Sequence, residues 1–127
     1  MNASPFEVLV VEDDADLVAL LELVLADAGY RVRTAREGRE ALDRVSEGMP
    51  GLVLLDMRMP GMNGWEFARE FRARHGRAAP IVVVTAAENA RARAAEIEAE
   101  GWLSKPFEID EMLRLVARHA AAAPPAG

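Results

Sequence analysis

Four short apolar runs in this 127-residue chain end on polar residues able to do chemistry. FEVLVV (6–11) is followed by Glu12, Asp13 and Asp14, and GLVLL (51–55) stops at Asp56. PIVVVT (80–85) closes on Thr85, and GWLS (101–104) leads into Lys105 and Pro106. Carboxylates gathered at one place repel one another and raise each other's pKa unless a cation is present. A hard divalent cation with oxygen ligands relieves that repulsion, and Mg²⁺ typically takes one or two carboxylates while keeping several waters. A lysine and a hydroxyl beside such a site suit a phosphoryl group, the amine offsetting oxygen charge and the hydroxyl donating to an oxygen. Phosphoryl transfer to Asp56 would give an acyl phosphate. Taken singly, each residue has a plainer reading. Asp13 or, better, Asp14 suits the N-cap of a helix starting near Ala15. Asp56 suits an Asx turn, Thr85 a turn hydroxyl and Lys105 the surface. The combination favours the joint reading.

These residues act together only if the fold brings the ends of the runs to one rim. Four of the five apolar runs are near-continuous in Val, Leu and Ile, the pattern of strands covered on both faces of a parallel sheet. The fifth, YRVRT (30–34), alternates and is placed at an edge. Helical periods separate the runs. Leu17, Leu20, Leu21, Val24, Leu25 and Ala28 mark one helix face, with Gly29 at C′. Residues 36–47 form a second helix with Ala41, Leu42 and Val45 inward and Gly48 at its end; residues 63–75 form a third with Phe67, Ala68 and Phe71 inward. Residues 88–98 form a weakly amphipathic fourth, anchored by Ala95 and Ile97, and Ile109, Met112, Leu113 and Val116 mark a fifth. The alternation of strand and helix, repeated five times, predicts an α/β fold: a single (βα)5 doubly wound parallel sheet of five strands with helices on both faces. Ligands of such sheets bind beyond the carboxyl ends of the strands, where the polar residues fall. One domain is expected over residues 1–120, with 121–127 as a flexible tail or the start of a linker.

Composition narrows the function further. A net charge of −6 argues against general nucleic-acid binding. With no cysteine, disulfides, thiolate metal sites and cysteine nucleophiles are excluded. His75 and His119 lie far apart in polar helical contexts, read here as solvated surface positions. There is no apolar window long enough to span a membrane and no basic N-terminal region of a signal peptide, so a cytoplasmic protein is expected.

The set VLVVEDD, LVLLDMRMPGMNG, VVVTA and SKPF resembles the receiver domain of bacterial two-component response regulators, over roughly residues 6 to 119. The resemblance implies a flavodoxin-like strand order 2-1-3-4-5 and a phosphoacceptor at Asp56, supplied by a phosphohistidine on a sensor histidine kinase, a phosphotransfer protein or a small donor such as acetyl phosphate. It implies Mg²⁺ (or Mn²⁺) held by Glu12, Asp13, Asp56 and the backbone carbonyl of Arg58, with Asp13 the direct ligand of the acidic pair. Thr85 corresponds to the switch hydroxyl, Lys105 to the phosphate-binding lysine and Trp102 to the switch aromatic, a position more usually Tyr or Phe. A cis Lys105–Pro106 bond is implied as well. Arg58 and Ala87, each two residues beyond a site residue, are expected to flank the path of an attacking water and tune phosphoryl lifetime, while the small Ala86 leaves access for a kinase. The segment from Thr85 to Lys105 is a couple of residues shorter than is common in the family, so no dimer mode is transferred. A monomer or a phosphorylation-dependent dimer fits equally.

Three other readings compete. A metal-dependent aspartyl phosphohydrolase commonly needs a second acid two residues beyond the nucleophile, and that position is Arg58. A flavin or nucleotide carrier needs a Gly-rich phosphate loop where this chain places acids. A non-phosphorylated docking receiver is expected to lack one of Asp13, Asp56 or Lys105, and all are present. The expected role is a signalling phosphoacceptor rather than an enzyme. Neither the kinase nor the output partner is named by the sequence, which fits a stand-alone regulator and the receiver part of a longer protein alike.

Overall fold

The computed structural model describes residues 5–86 and 88–123. Strands β1 (Glu7–Val11), β2 (Arg31–Ala35), β3 (Leu52–Leu55), β4 (Ile81–Thr85) and β5 (Gly101–Ser104) alternate with helices α1 (Ala15–Asp27), α2 (Gly38–Glu47), α3 (Gly64–His75), α4 (Ala90–Glu96) and α5 (Ile109–Ala122). All strand pairings are parallel. The sheet order is β2-β1-β3-β4-β5, as the resemblance implies, and the alternating run YRVRT does lie at an edge.

Alternation along the inner strands divides the core into two layers. Leu9, Val11, Val53, Leu55, Ile81 and Val83 point toward Ala41, Leu42 and Val45 of α2, Phe67 and Phe71 of α3, and Ala94 of α4. Val8, Val10, Leu52, Leu54, Val82 and Val84 meet Leu21 and Leu25 of α1 and Met112 and Val116 of α5. Burying each such Leu or Phe contributes roughly 1.5–3 kcal/mol, so the central strands are held on both faces and their ends form a rigid rim.

Three sequence expectations need correction here. Leu20 and Ala28 are exposed: at 100° per residue Leu20 lies about 100° and 140° around the helix from Leu21 and Leu25, which carry the burial, and Ala28 is the C-cap beyond the last turn of α1. In α4 the buried anchors are Ala90 and Ala94; Ala95 is exposed and Ile97 packs only partly. Residues two apart lie on opposite sides of a helix, so Ala95 and Ile97 could not both face the core. The two histidines are half-buried rather than solvated: His75 lies against Phe71 with ring centroids 5.4 Å apart, and burial lowers the pKa of His119 despite the nearby Glu100 charge.

The chain leaves β3 through a loop with exacting steric needs. Gly61 has φ +72°, a backbone angle that disfavours any side chain. Gly64 shows no such angle; its constraint is space. A Cβ there would lie 2.7 Å from Met57 Cα and 2.8 Å from the Asp56 carbonyl oxygen, both backbone atoms. The Gly64 N–H donates to the Met57 carbonyl at 3.0 Å, which seats the first turn of α3 directly against the residues that follow the strand. Gly64→Ala is therefore expected to cost about 1–3 kcal/mol, the range for overpacking. Denaturant unfolding checks this, with Gly29→Ala as reference, since a Cβ at Gly29 meets nothing within 4 Å and only its φ of +100° resists substitution.

Candidate functional site

The parallel register carries the polar residues to one rim. Val11 pairs with Leu55 and with Ala35, so Glu12 and Asp56 emerge side by side at the ends of the two central strands. Two backbone bonds continue the ladder past the strand ends, Glu12 N–H to the Ala35 carbonyl at 2.9 Å and Asp56 N–H to the Val11 carbonyl at 3.0 Å. On the other side Thr85 pairs with Ser104, and the Lys105 N–H donates to the Thr85 carbonyl at 2.9 Å. The Lys105–Pro106 bond is cis.

Glu12, Asp13 and Asp56 offer carboxylate oxygens that all lie within 4.8 Å of one another. Glu12 and Asp56 are only 3% and 6% exposed, whereas Asp13 stands open to solvent. The Lys105 amine donates to Glu12 Oε1 at 2.5 Å and lies 3.6 Å from Asp56 Oδ2. Thr85 is buried at 1% exposure. Asp14 is turned away as the N-cap of α1, accepting from the N–H groups of Asp16 and Leu17. Its own N–H donates to Glu12 Oε2 at 3.1 Å, which helps fix the glutamate. Trp102 is 47% exposed, with the Arg91 guanidinium 5.7 Å from its ring centroid. Arg58 is exposed, and its guanidinium lies 6.0 Å from the ring centroid of Trp65. Its N–H approaches Asp56 Oδ1 at 3.4 Å, a long contact that leaves the Asx turn weak at best. Ala87 lies outside the described residues.

The charges in this cleft do not balance. Burial raises the carboxyl pKa of Glu12, the Lys105 hydrogen bond opposes that rise, and the Asp56 charge adds to it. Burial alone would lower the Lys105 amine, but its hydrogen bond to Glu12 and the charges of Asp56 and Glu12 more than offset this and leave it raised. The amine thus stays protonated, and the strained member is Glu12, buried beside a second acid with one cation between them. Glu12, Asp13 and Asp56 supply only the oxygen ligands that a hard cation such as Mg²⁺ prefers.

The structure also uses residues that spacing did not single out. Glu37 Oε1 accepts from the Arg39 N–H at 2.6 Å and the Met62 N–H at 3.2 Å, and the Gly38 N–H donates to the Met62 carbonyl at 2.8 Å. The loop after Asp56 is thereby tied to the start of α2. Asn63 and Glu66 close a capping box on α3, a pattern the N-x-x-E spacing does encode. Glu37 caps α2 locally through the Arg39 N–H, but its tie to the loop had no such sequence signal, because Met62 lies 25 residues away.

A model of the response regulator receiver domain matches residues 8–117. The chain belongs to that family. It is 39% identical over 111 residues to the response regulator MprA of Mycolicibacterium vanbaalenii, a match covering 86% of this chain and 48% of MprA. It is 33% identical to ArlR of Staphylococcus aureus over 84% of this chain and 49% of that protein. The chain thus spans about half the length of these curated relatives. Among solved structures it is similar to the response regulator TrrA of Thermotoga maritima in complex with Mg²⁺-BeF, with 34% identity, TM-score 0.80 and coverage of 90% of this chain and 98% of TrrA. It is likewise similar to the chemotaxis response regulator CheY4 of Vibrio cholerae, with 32% identity, TM-score 0.82 and 91% and 99% coverage. As a receiver domain it belongs to two-component signalling, a family not classed as enzymes. No helix among the described residues is long and apolar enough to cross a membrane.

The sign of the Glu12 shift gives a test that needs no phosphoryl donor. Glu12 holds its proton more tightly in the folded chain than in the unfolded one. Its favourable contribution is present below the ordinary value of 4.5 and is lost as pH rises through the raised value. Glu12→Gln in the metal-free protein is expected to gain stability relative to the parent as pH rises through that window. Asp56→Asn, which removes the charge that adds to the burial-driven rise of Glu12, is expected to stabilise the metal-free protein at neutral pH by on the order of 1 kcal/mol. Thermal unfolding against pH checks both, and an Asp56→Asn variant less stable than the parent would contradict the charge imbalance.

Proposed function

We propose that Asp56 accepts a phosphoryl group in a Mg²⁺-dependent reaction, from a phosphohistidine on a sensor histidine kinase or phosphotransfer protein, or from a small donor such as acetyl phosphate. The observation that carries the reading is the convergence of the Asp56 carboxylate with those of Glu12 and Asp13 within 4.8 Å, and with the Lys105 amine at 3.6 Å, at the rim of the sheet. The Mg²⁺-BeF complex of TrrA, on the same fold, adds to it. Glu12, Asp13, Asp56 and the Arg58 carbonyl would hold the cation, which when bound supplies charge neutralisation between the acid and the incoming phosphoryl oxygens.

An Asp56 oxygen forms the new bond to phosphorus as the bond from phosphorus to the donor nitrogen or oxygen breaks, and the donor leaves with the electron pair of that bond. Roughly in-line displacement requires an acid that does not wander, and Asp56 sits on a strand end buried on both faces. The Lys105 amine would exchange part of its contact with Glu12 for a phosphoryl oxygen, and Thr85 would turn its hydroxyl to another. Trp102 would follow by swinging from its exposed position toward the space Thr85 leaves, altering the surface of β5, α4 and α5. Arg58 would set how fast water removes the group, as would Ala87, two residues beyond Thr85 in the chain. The kinase, the output protein or domain, a cytoplasmic location and a phosphorylation-dependent dimer belong to the same reading.

Intact mass after incubation with acetyl phosphate and Mg²⁺ is expected to show a single added phosphoryl group, absent without the metal and absent in Asp56→Asn. A parent protein that gains no Mg²⁺-dependent adduct would overturn the acceptor reading. Lys105→Ala is expected to cut the rate of adduct formation by about 10²-fold or more, in the range for losing one preorganised charge-stabilising group.

A further inference from the structure

Arg58 stands two residues beyond Asp56, yet its guanidinium is drawn to Trp65, 6.0 Å from the ring centroid. Among the described residues its guanidinium has no carboxylate partner, and the Trp65 indole lies near it as a cation–π contact. Trp65 is itself immobilised. Its Nε1–H donates to Glu96 Oε1 at 2.9 Å, and the other Glu96 oxygen pairs with Arg93 at 2.9 Å. One side of the ring packs against the core layer that contains Phe67 and Ala68. Arg58 and Trp65, with Met57, Met59, Pro60 and Asn63, line a cavity of about 370 Å³ in which Glu12, Asp13 and Asp56 take no part. The Arg58 guanidinium thus makes an ion pair with none of the three acids and lies instead near a ring bonded from α4.

We propose that Trp65 is a positioning residue for Arg58 and thereby sets the lifetime of the aspartyl phosphate. The proposal rests on the reading of Asp56 as phosphoacceptor and of Arg58 as a brake on hydrolysis. In hydrolysis a water oxygen bonds to phosphorus, the bond from phosphorus to the Asp56 oxygen breaks, and inorganic phosphate leaves with the proton of the water passing to phosphate or solvent. A guanidinium moved over the phosphoryl group obstructs the approach of that water. Each moment spent on Trp65 leaves the path open. An exposed cation–π contact shifts such a two-position equilibrium about two- to five-fold. The ring acts through the arginine and touches no reacting atom.

The test combines a lifetime and a spectroscopic readout on the whole chain. Trp65→Leu is expected to lengthen the half-life of the phosphoryl adduct about two- to five-fold, and to have no effect on it in an Arg58→Ala background. Trp65→Phe keeps an aromatic face, and a smaller lengthening is expected; it also serves if the leucine variant unfolds. In the unphosphorylated protein the Arg58 Nε–H resonance is expected to carry a ring-current displacement that Trp65→Leu removes. An equal change in both backgrounds, or an Arg58 resonance indifferent to Trp65, would overturn the proposal by reducing Trp65 to a packing residue between α3 and α4. An adduct that forms normally but whose lifetime ignores Trp65→Leu would overturn it while leaving Asp56 as acceptor. Failure of the parent to form any adduct would strike the acceptor reading and the lifetime claim together, and the resonance would then report on the Arg58–Trp65 contact alone.

Discussion

Two buried carboxylates share one ammonium group at the end of this sheet, with a third, exposed acid beside them. Burial, with the Asp56 charge adding to it, raises the Glu12 carboxyl pKa; in an isolated loop the side chains would turn apart into water. Here they do not, because Glu12 and Asp56 are the first residues past two strands that pair directly and are covered on both faces. Core burial thus holds a charge imbalance in place. On the proposed reading, that imbalance is what a hard cation would relieve, and the cation and Lys105 together would neutralise an incoming anion.

A rim that is rigid on the strand side still depends on the loop that leaves it. Residues 57–63 cannot relax outward, since Gly64 seats α3 against the Met57 backbone and Glu37 ties Met62 to α2. Gly61 turns the chain between these two anchors at φ +72°, against the Glu37 side chain. The Arg58 carbonyl, the proposed backbone ligand, lies inside that braced segment. Glycine therefore appears in this loop for two distinct reasons, one of angle and one of space, and the second depends on a neighbour that sequence spacing alone does not reveal.

Strands, order of elements and the rim acids were legible because each depends on local pattern: unbroken Val/Leu/Ile runs, helical spacing between them, and polar residues at the run ends. The inner faces of α2, α3 and α5 follow the same rule. Failures came where pattern was ambiguous or partners were distant. An Ala-rich helix of seven residues carries little phase information, so Ala95 was favoured over Ala90 and Ala94. In α1 leucine occupies both buried and exposed positions, and Leu23 is 70% exposed, so hydrophobicity overstated the width of the buried face. Glu37, Trp65 and Glu96 were invisible for a different reason. Beyond local contacts of Glu37 with Arg39 and of Glu96 with Arg93, their roles come through contacts 25 and 31 residues apart in the chain.

The two tryptophans are held in different ways, which suits them to the different roles proposed for them. Each has an arginine near its ring, Arg58 at 6.0 Å for Trp65 and Arg91 at 5.7 Å for Trp102. The indole N–H of Trp65 is bonded to Glu96 Oε1, whose carboxylate is held from its other oxygen by Arg93, and moving the ring would break that bond. Trp102 has no such protein bond among the described residues and lies half in solvent on a strand at the sheet edge. Moving it costs a contact with Arg91 of about 0.5–1 kcal/mol and some hydration, and burying its apolar surface would return roughly 25 cal/mol per Å². The balance is small and of either sign, which is what a displaceable aromatic requires. Trp65, bonded from α4 and packed from α3, is better suited to remain still while the arginine beside it moves.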